Sequence, residues 1–249
     1  MNSKLAPALP HGPLIEVMPD VFVVTGTFHL DPFGLIAFPR NMTVLRRDGE
    51  LTLVNSVRLT EAGERDLLAL GTIRHLVRLG AFHGLDDPYY LARHRPTFWL
   101  PEGMPPPPAA KGSPICSLVN AARPTFAPDA EVFAFRNTRL SEAALRLPYS
   151  NGTLVVCDAI GNFETTAGFS RPMRWLTPRK SLIRCTIASS TWLRRMRRGG
   201  GADLHDDYQR LLALDFDALL PAHGEALLSG AKEALRASVL RMWPPAGSA

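Results

Sequence analysis

The pattern of apolar and polar positions changes along the first third of the chain from one typical of strands to one typical of a helix. Three runs are rich in β-branched and other apolar residues: 21–24, 42–45 and 51–54. The dipeptide Asp48-Gly49 separates the last two runs and favours a tight hairpin turn. Residues 60–71 then combine a threonine cap, an acidic first turn, spaced leucines and a terminal glycine. They predict a helix after the hairpin.

Strand and helix patterns continue to alternate through the rest of the chain. The pattern predicts strands over 73–79, 97–100, 131–135, 143–147, 153–157 and 216–220. It predicts helices over 89–94, 177–198, 203–214 and 229–242. Because strands with interspersed helices occur twice over, we expect an α/β (α+β) fold in which helices cover sheets.

The segment 101–128 differs from its surroundings in its proline content. Its four consecutive prolines lack backbone donors and favour extended geometry. It is either a linker between domains or a long surface loop. Since neither flanking part has the elements of a self-sufficient domain, we expect a single domain over 1–249 with this segment as an internal loop. We expect the loop, together with 161–179, to shape any pocket.

Composition indicates a folded chain in a reducing compartment. Of 249 residues, 46% are hydrophobic and 20% charged, which is ordinary for a domain with a buried core. The three cysteines, Cys116, Cys157 and Cys185, have no CxxC spacing and do not predict a disulfide framework. The first residues lack the apolar core of a signal peptide, and no window approaches the length of a membrane span. We therefore expect a cytoplasmic location and no membrane partner.

The formal net charge of +5 is mild, so the location of the basic residues matters more than their sum. The dense cluster comprises Arg194, Arg195, Arg197 and Arg198. These arginines are either the basic last turn of a helix or a docking patch for an anionic substrate or RNA. Few aromatic residues are interleaved with them, which disfavours nucleic acid. We expect a small-molecule substrate; the sequence does not indicate an oligomeric state.

Polar residues follow three of the apolar strands directly. His83, Asp158 and His223 come after the predicted strands 73–79, 153–157 and 216–220, and Asp87 lies four residues past His83. Strand ends are where sheets of this class gather ligand-binding side chains. Two imidazoles and two carboxylates suit a divalent ion such as zinc, iron or manganese.

Several motifs together resemble the metallo-β-lactamase fold superfamily. They are "LTLVNS", "LLALGTIRHLV", "HGLDDP", "LVVCDAIGNF" and "LLPAHGEAL", in that order. The resemblance extends over residues 15–240 and is closer to an uncharacterised, degenerate branch of the superfamily with an incomplete metal motif. It implies a four-layer αββα sandwich and a metal-dependent hydrolase.

The superfamily's metal motif, His-x-His-x-Asp-His, is only partly present. His83 matches its first histidine and Asp87 its aspartate, whereas Leu85 and Pro88 occupy the other two ligand positions. The superfamily's middle histidine is expected within 135–147, which contains none. The resemblance therefore does not imply a dinuclear site.

Two further residues match the superfamily's remaining ligands. Asp158 resembles the bridging aspartate and His223 the final histidine. The resemblance then implies one metal on Asp87, Asp158 and His223, with His83 as a neighbour or fourth ligand. Asp87 and His83 are the catalytic candidates, beside a water activated by the metal.

Structural roles remain open for the same residues. Asp87 precedes a proline, a common start of a helix, so it is also a candidate cap. The alternative role for Asp158 and His83 is to hold their own loops in place by hydrogen bonding. If so, the protein is a metal-free, non-catalytic relative that binds a small molecule or a protein partner. Cys157 alternates with Asp158 along its strand and is predicted to lie in the core.

Overall fold

A seven-stranded sheet forms the amino-terminal half of the structure, a computed structural model that describes residues 5–177, 183–184, 186–197 and 203–245. Its strands are β1 Ile15–Met18, β2 Val21–His29, β3 Ala37–Arg47, β4 Glu50–Val54, β5 Thr72–Val77, β6 Thr97–Pro101 and β7 Ile115–Leu118. They lie in chain order, antiparallel up to β4 and parallel from β4 to β7. Asp48 and Gly49 both have positive φ, 50° and 74°, as the predicted turn between β3 and β4 requires.

A four-stranded sheet forms the other half. Its strands are β8 Glu131–Ala134, β9 Ala143–Leu147, β10 Thr153–Val156 and β13 Ala218–Pro221. They lie in the order β13-β10-β9-β8, and β10 and β13 are parallel. A separate antiparallel pair consists of β11 Gly161–Asn162 and β12 Thr186–Ile187. Because β10 and β13 run in the same direction, the residues that follow them emerge at the same edge.

Helices cover the outer face of each sheet. Among the described residues, the helices are α1 Glu61–Leu70, α2 Asp87–His94, α3 Arg171–Leu176, α4 Ser190–Met196, α5 Leu204–Leu212 and α6 Ala231–Met242. Leu67 of α1 and Leu91 of α2 pack on the first sheet, and Tyr208 of α5 and Leu235 of α6 pack on the second. A third apolar cluster joins the inner faces of the two sheets. The expected αββα sandwich is confirmed.

The helix predicted over 177–198 is correct only for its later part. The described residues of this stretch instead form β12 and then α4. The side chain of Ser189 accepts a hydrogen bond from the backbone of Trp192 at 3.2 Å and starts α4 anew. The pairing of β12 with the distant β11 overrides the local helical pattern. Arg194 and Arg195 lie in the last turn of α4, Arg197 caps it, and Arg198 lies outside the described residues.

The proline-rich segment contains more regular structure than a loop. A single 3₁₀ turn, Pro108–Ala110, precedes β7, which extends the first sheet at its edge. The sequence pattern missed this strand because only four residues contribute to it, with alternating exposure.

Cys157 is fully buried between the two sheets, as its alternation with Asp158 predicts. Cys116 and Cys157 are free thiols, and Cys185 lies outside the described residues. In the part of the chain that the structure describes, no helix is long and apolar enough to cross a membrane.

Candidate metal centre

Three of the four predicted ligands meet at the edge where their strands end. His83 follows β5, Asp158 follows β10 and His223 follows β13. The Nε2 atoms of His83 and His223 are 3.0 Å apart. Asp158 Oδ1 lies 3.1 Å from His223 Nε2 and 3.6 Å from His83 Nε2. Three ligand atoms from three distant parts of the sequence thus form one compact triangle.

The hydrogen bond of His223 to the backbone sets the orientation of its ring. Its Nδ1 lies 3.0 Å from the carbonyl oxygen of Pro39, which can only accept, so Nδ1 carries the proton. Nε2, which faces His83 and Asp158, is then the nitrogen whose lone pair a cation can bind when the ring is neutral. Metal-binding histidines are commonly held in this way.

The spacing of the three atoms also suits a small cation. Ligands of a tetrahedral zinc ion at its usual bond lengths are about 3.3 Å from one another. The observed separations of 3.0, 3.1 and 3.6 Å bracket that value. Two imidazole nitrogens and one carboxylate oxygen are, moreover, the donor types that zinc takes in catalytic sites. The residues present therefore fit a divalent metal.

Asp158 supplies negative charge to this group. Burial alone would raise its pKa, but the positive charge that His83 and His223 can carry, and the hydrogen bonds that the charged rings donate to the carboxylate, together outweigh burial. The pKa of Asp158 is consequently lowered, and its carboxylate is ionised at neutral pH. An ionised, largely buried carboxylate requires positive charge beside it, which either the protonated histidines or a bound cation would supply.

Glu142 and Cys157 lie directly beneath Asp158. Glu142 is buried and its Oε1 accepts a hydrogen bond from the backbone of Ala159 at 2.8 Å, which holds the loop after β10. The Cys157 thiol donates to Asp158 Oδ2 at 3.7 Å. Burial, reinforced by the charge of Asp158, raises the pKa of both Glu142 and Cys157. Both are thereby favoured in their neutral forms, and the negative charge stays on Asp158.

Asp87 is not brought to this triangle. Its Oδ1 accepts from the hydroxyl of Ser56 at 2.6 Å, and its Oδ2 accepts from Arg78 Nε at 2.7 Å. The side chain is buried, so both oxygens are committed to these partners. The predicted capping role is not found either: α2 begins at Asp87, its cap residue is Asp86, and the side chain of Asp86 makes no capping hydrogen bond. Asp87 is one half of a buried ion pair.

The neighbouring Asp86 forms a second such pair. It binds the guanidinium of Arg40, both side chains being buried, and its Oδ2 also accepts from the backbone of Arg58 at 2.6 Å. Arginine side chains therefore compensate both aspartates of the "HGLDDP" motif. Sequence reasoning missed Arg40 and Arg78, although two adjacent buried carboxylates require cations nearby.

Two buried asparagines, neither of them predicted to have this role, position the loops that carry the triangle. Asn41 on β3 donates through its side-chain amide to two carbonyls of the turn 221–224, at 2.9 and 2.7 Å. Asn55 accepts from the backbone of Leu79 and donates to the carbonyl of Val156, both at 3.1 Å. It thereby joins the ends of β5 and β10. The only feature of the sequence that marks the two asparagines is an amide side chain within an otherwise apolar strand pattern.

The triangle opens into a cavity of about 500 Å³. Its wall is largely apolar and includes Phe28, Phe38, Phe163, Phe169, Met173 and Trp192. As expected, part of the wall comes from 161–177, but no residue of 101–128 lines it. The latter expectation is wrong because that segment lies against the opposite edge of the first sheet, at β6 and β7. The volume lies within the range of small-molecule sites.

Comparison with known proteins identifies the fold. No protein-family model and no curated protein matches the sequence. The solved structure of TMB-1 is similar over 95% of this chain and 99% of its own, with a TM-score of 0.62 and 10% identity. A metallo-β-lactamase from Hirschia baltica gives 0.56 and 12%, covering 92% of this chain and 97% of its own. The chain has the metallo-β-lactamase fold, which confirms the fold that the resemblance implies.

A further structural relative comes from Pseudomonas aeruginosa. The metallo-β-lactamase FIM-1, solved in a mono-zinc form, has a TM-score of 0.57 and 13% identity. The similarity covers 96% of this chain and 98% of FIM-1. Identities this low establish the fold and leave the chemistry to be argued from the residues.

Gly224, which follows His223, is expected to be intolerant of a side chain. Its φ is 92°, and a Cβ there would overlap the carbonyl oxygen of Asn162. Gly224→Ala should therefore lower the free energy of unfolding by about 3 kcal/mol, measured by urea denaturation. Gly112 is the matched control: its φ is 91° but open space surrounds it. Gly112→Ala should cost only the backbone strain, about 1 kcal/mol, and equal losses would contradict the steric argument.

Proposed function

We propose that this protein is a metal-dependent hydrolase with a reduced, mononuclear site held by His83, Asp158 and His223. The observation that carries the proposal is the triangle of ligand atoms at the base of an apolar cavity, with His223 already oriented by Pro39. The same fold holds a single zinc in the mono-zinc form of FIM-1, which supports the stoichiometry. A bound cation would supply a Lewis acid and lower the pKa of a coordinated water.

The side chains around the triangle have separate parts in this proposal. The Pro39 carbonyl keeps the proton of His223 on Nδ1, so that Nε2 is free to bind. Asp158 offsets part of the charge of the cation. The apolar wall holds the non-reacting part of a substrate and excludes bulk water, which strengthens every electrostatic interaction in the site. Asp87 takes no part, because Ser56 and Arg78 occupy its oxygens.

Metal analysis tests the proposal directly. Protein purified without chelator is analysed by mass spectrometry for zinc, iron and manganese, and its hydrolysis of aryl esters is compared before and after chelation. We expect about one metal ion per chain, as for other sites with three protein ligands, and hydrolysis that chelation removes and metal restores. No bound metal, even after incubation with each ion, would reject the proposal and favour a metal-free binding protein. Bound metal without any hydrolysis would reject its catalytic half.

A further inference from the structure

We infer that the cavity takes an amphiphilic anion, an apolar chain or ring joined to a carboxylate, and that Arg195 binds the carboxylate at the rim. If the ligand is the substrate, this inference rests on the proposed function. The binding of the anion itself does not depend on a metal. It follows from the charges that line the cavity and from the chemistry of its wall.

The wall offers little to a polar compound. Aromatic and aliphatic side chains dominate it, and they come from β2, β3, the segment 161–177 and α4. Several apolar side chains at the mouth are well exposed, Leu30 at 56% and Leu176 at 56% among them. Removal of this surface from water favours a ligand whose larger part is apolar.

One cation on the wall has no counter-charge among the described residues. Arg40 is neutralised by Asp86, and the charge of Asp158 faces the two histidines. Arg195 is exposed at the rim and takes part in none of the ion pairs of the described residues. Its guanidinium carbon lies 5.7 Å from the centroid of the Phe82 ring, so that the arginine is held against the cavity mouth.

A guanidinium in this position selects the charged part of the ligand. It is planar, permanently charged and presents paired N–H donors that match the two oxygens of a carboxylate. The expected ligand therefore places its carboxylate at the mouth and its apolar part along the aromatic wall. If the arginine cluster were only the basic last turn of a helix, the position of Arg194 would be explained, but the position of Arg195 on the cavity wall would not.

Calorimetric titration of the chelator-treated protein tests this inference without any contribution from a metal. The probes are phenylbutyrate, phenylbutanol and phenylbutylamine, which share one apolar part, and acetate, which lacks it. Phenylbutyrate should bind most tightly, phenylbutanol more weakly, and phenylbutylamine and acetate weakest. Equal binding of the acid and the alcohol would overturn the role of charge, and acetate binding as tightly as phenylbutyrate would overturn the role of the wall. Absence of binding by every probe would overturn the inference as a whole.

Two matched variants assign the charge to its residue. Arg195→Gln should weaken phenylbutyrate binding about fivefold to tenfold and leave phenylbutanol binding unchanged. Arg194→Gln, the adjacent exposed arginine that does not line the cavity, should leave both unchanged. Unaltered phenylbutyrate binding by the Arg195 variant would contradict the assignment. Charge-selective binding in a protein that never takes up metal would leave this inference standing and reject only the hydrolase.

Discussion

Replacing His223 with alanine is expected to remove metal binding from the candidate centre, with a loss of zinc affinity greater than about a hundredfold. Loss of a residue that merely supports a ligand costs about 10- to 100-fold, and His223 is proposed to bind directly. The substitution removes the ring nitrogen that lies 3.0 Å from His83 Nε2 and 3.1 Å from Asp158 Oδ1. Two donors would remain, too few for a stable catalytic site. Zinc titration in competition with a chromophoric chelator measures the change.

Replacement of a second histidine serves as the control, because it also removes an imidazole but leaves the triangle intact. His205, on α5, contacts the side chain of Gln209 at 2.8 Å and stacks on Trp243, and it does not belong to the triangle. His205→Ala should therefore keep the zinc affinity of the unsubstituted protein. If His223→Ala retained that affinity, or if both variants lost it equally, the proposed ligand set would be wrong.

The sequence predicted three members of the triangle because each of them follows a strand. His83, Asp158 and His223 each follow a short, strongly apolar run, and such runs are the elements that a sequence pattern identifies best. Because β10 and β13 are parallel neighbours, Asp158 and His223 had to emerge at the same edge. The position of each residue after its strand was sufficient, and the exact strand bounds mattered little.

The role of Asp87 could not be read in the same way. Whether a carboxylate faces a metal or a guanidinium depends on side chains from other elements. Ser56 lies 31 positions from Asp87, and Arg78 lies nine positions away at the end of a different element. The helix predicted over 177–198 was correct only for its later part for a related reason, since its interruption depends on pairing of β12 with β11. Long-range contacts of this kind leave no mark on local periodicity.

The cavity was the least predictable feature. Its wall combines residues from β2, β3, the loop after β5 and α4, which are far apart in the sequence. The residues from β2, β3 and α4 belong to no motif, and single phenylalanines in a sequence are more often part of a core. Arg195 acquired its place on the wall only through the start of α4 at Ser190 and the turn of that helix.

Replacing Asp87 with asparagine is expected to lower the free energy of unfolding by about 3 kcal/mol and to leave zinc affinity unchanged. The substitution leaves Arg78, whose side chain is only 12% exposed, without its counter-charge, and desolvation of an unpaired guanidinium is costly. Asparagine keeps the shape of aspartate, so the loss reports the charge and not a cavity. Urea denaturation measures the stability, and the zinc titration used for His223 measures the affinity.

An exposed aspartate in an ion pair with an arginine provides the control for this change. Asp48 lies 3.7 Å from Arg47, and the two side chains are 92% and 51% exposed. Asp48→Asn should change the free energy of unfolding by less than about 0.5 kcal/mol, because exposed ion pairs contribute little and asparagine tolerates the positive φ at this turn. A comparable, small loss in the Asp87 variant would mean that its ion pair with Arg78 does not stabilise the fold. A fall in zinc affinity in that variant, with stability retained, would instead return Asp87 to the ligand set that the resemblance implies, and would require the loop 83–88 to rearrange when metal binds.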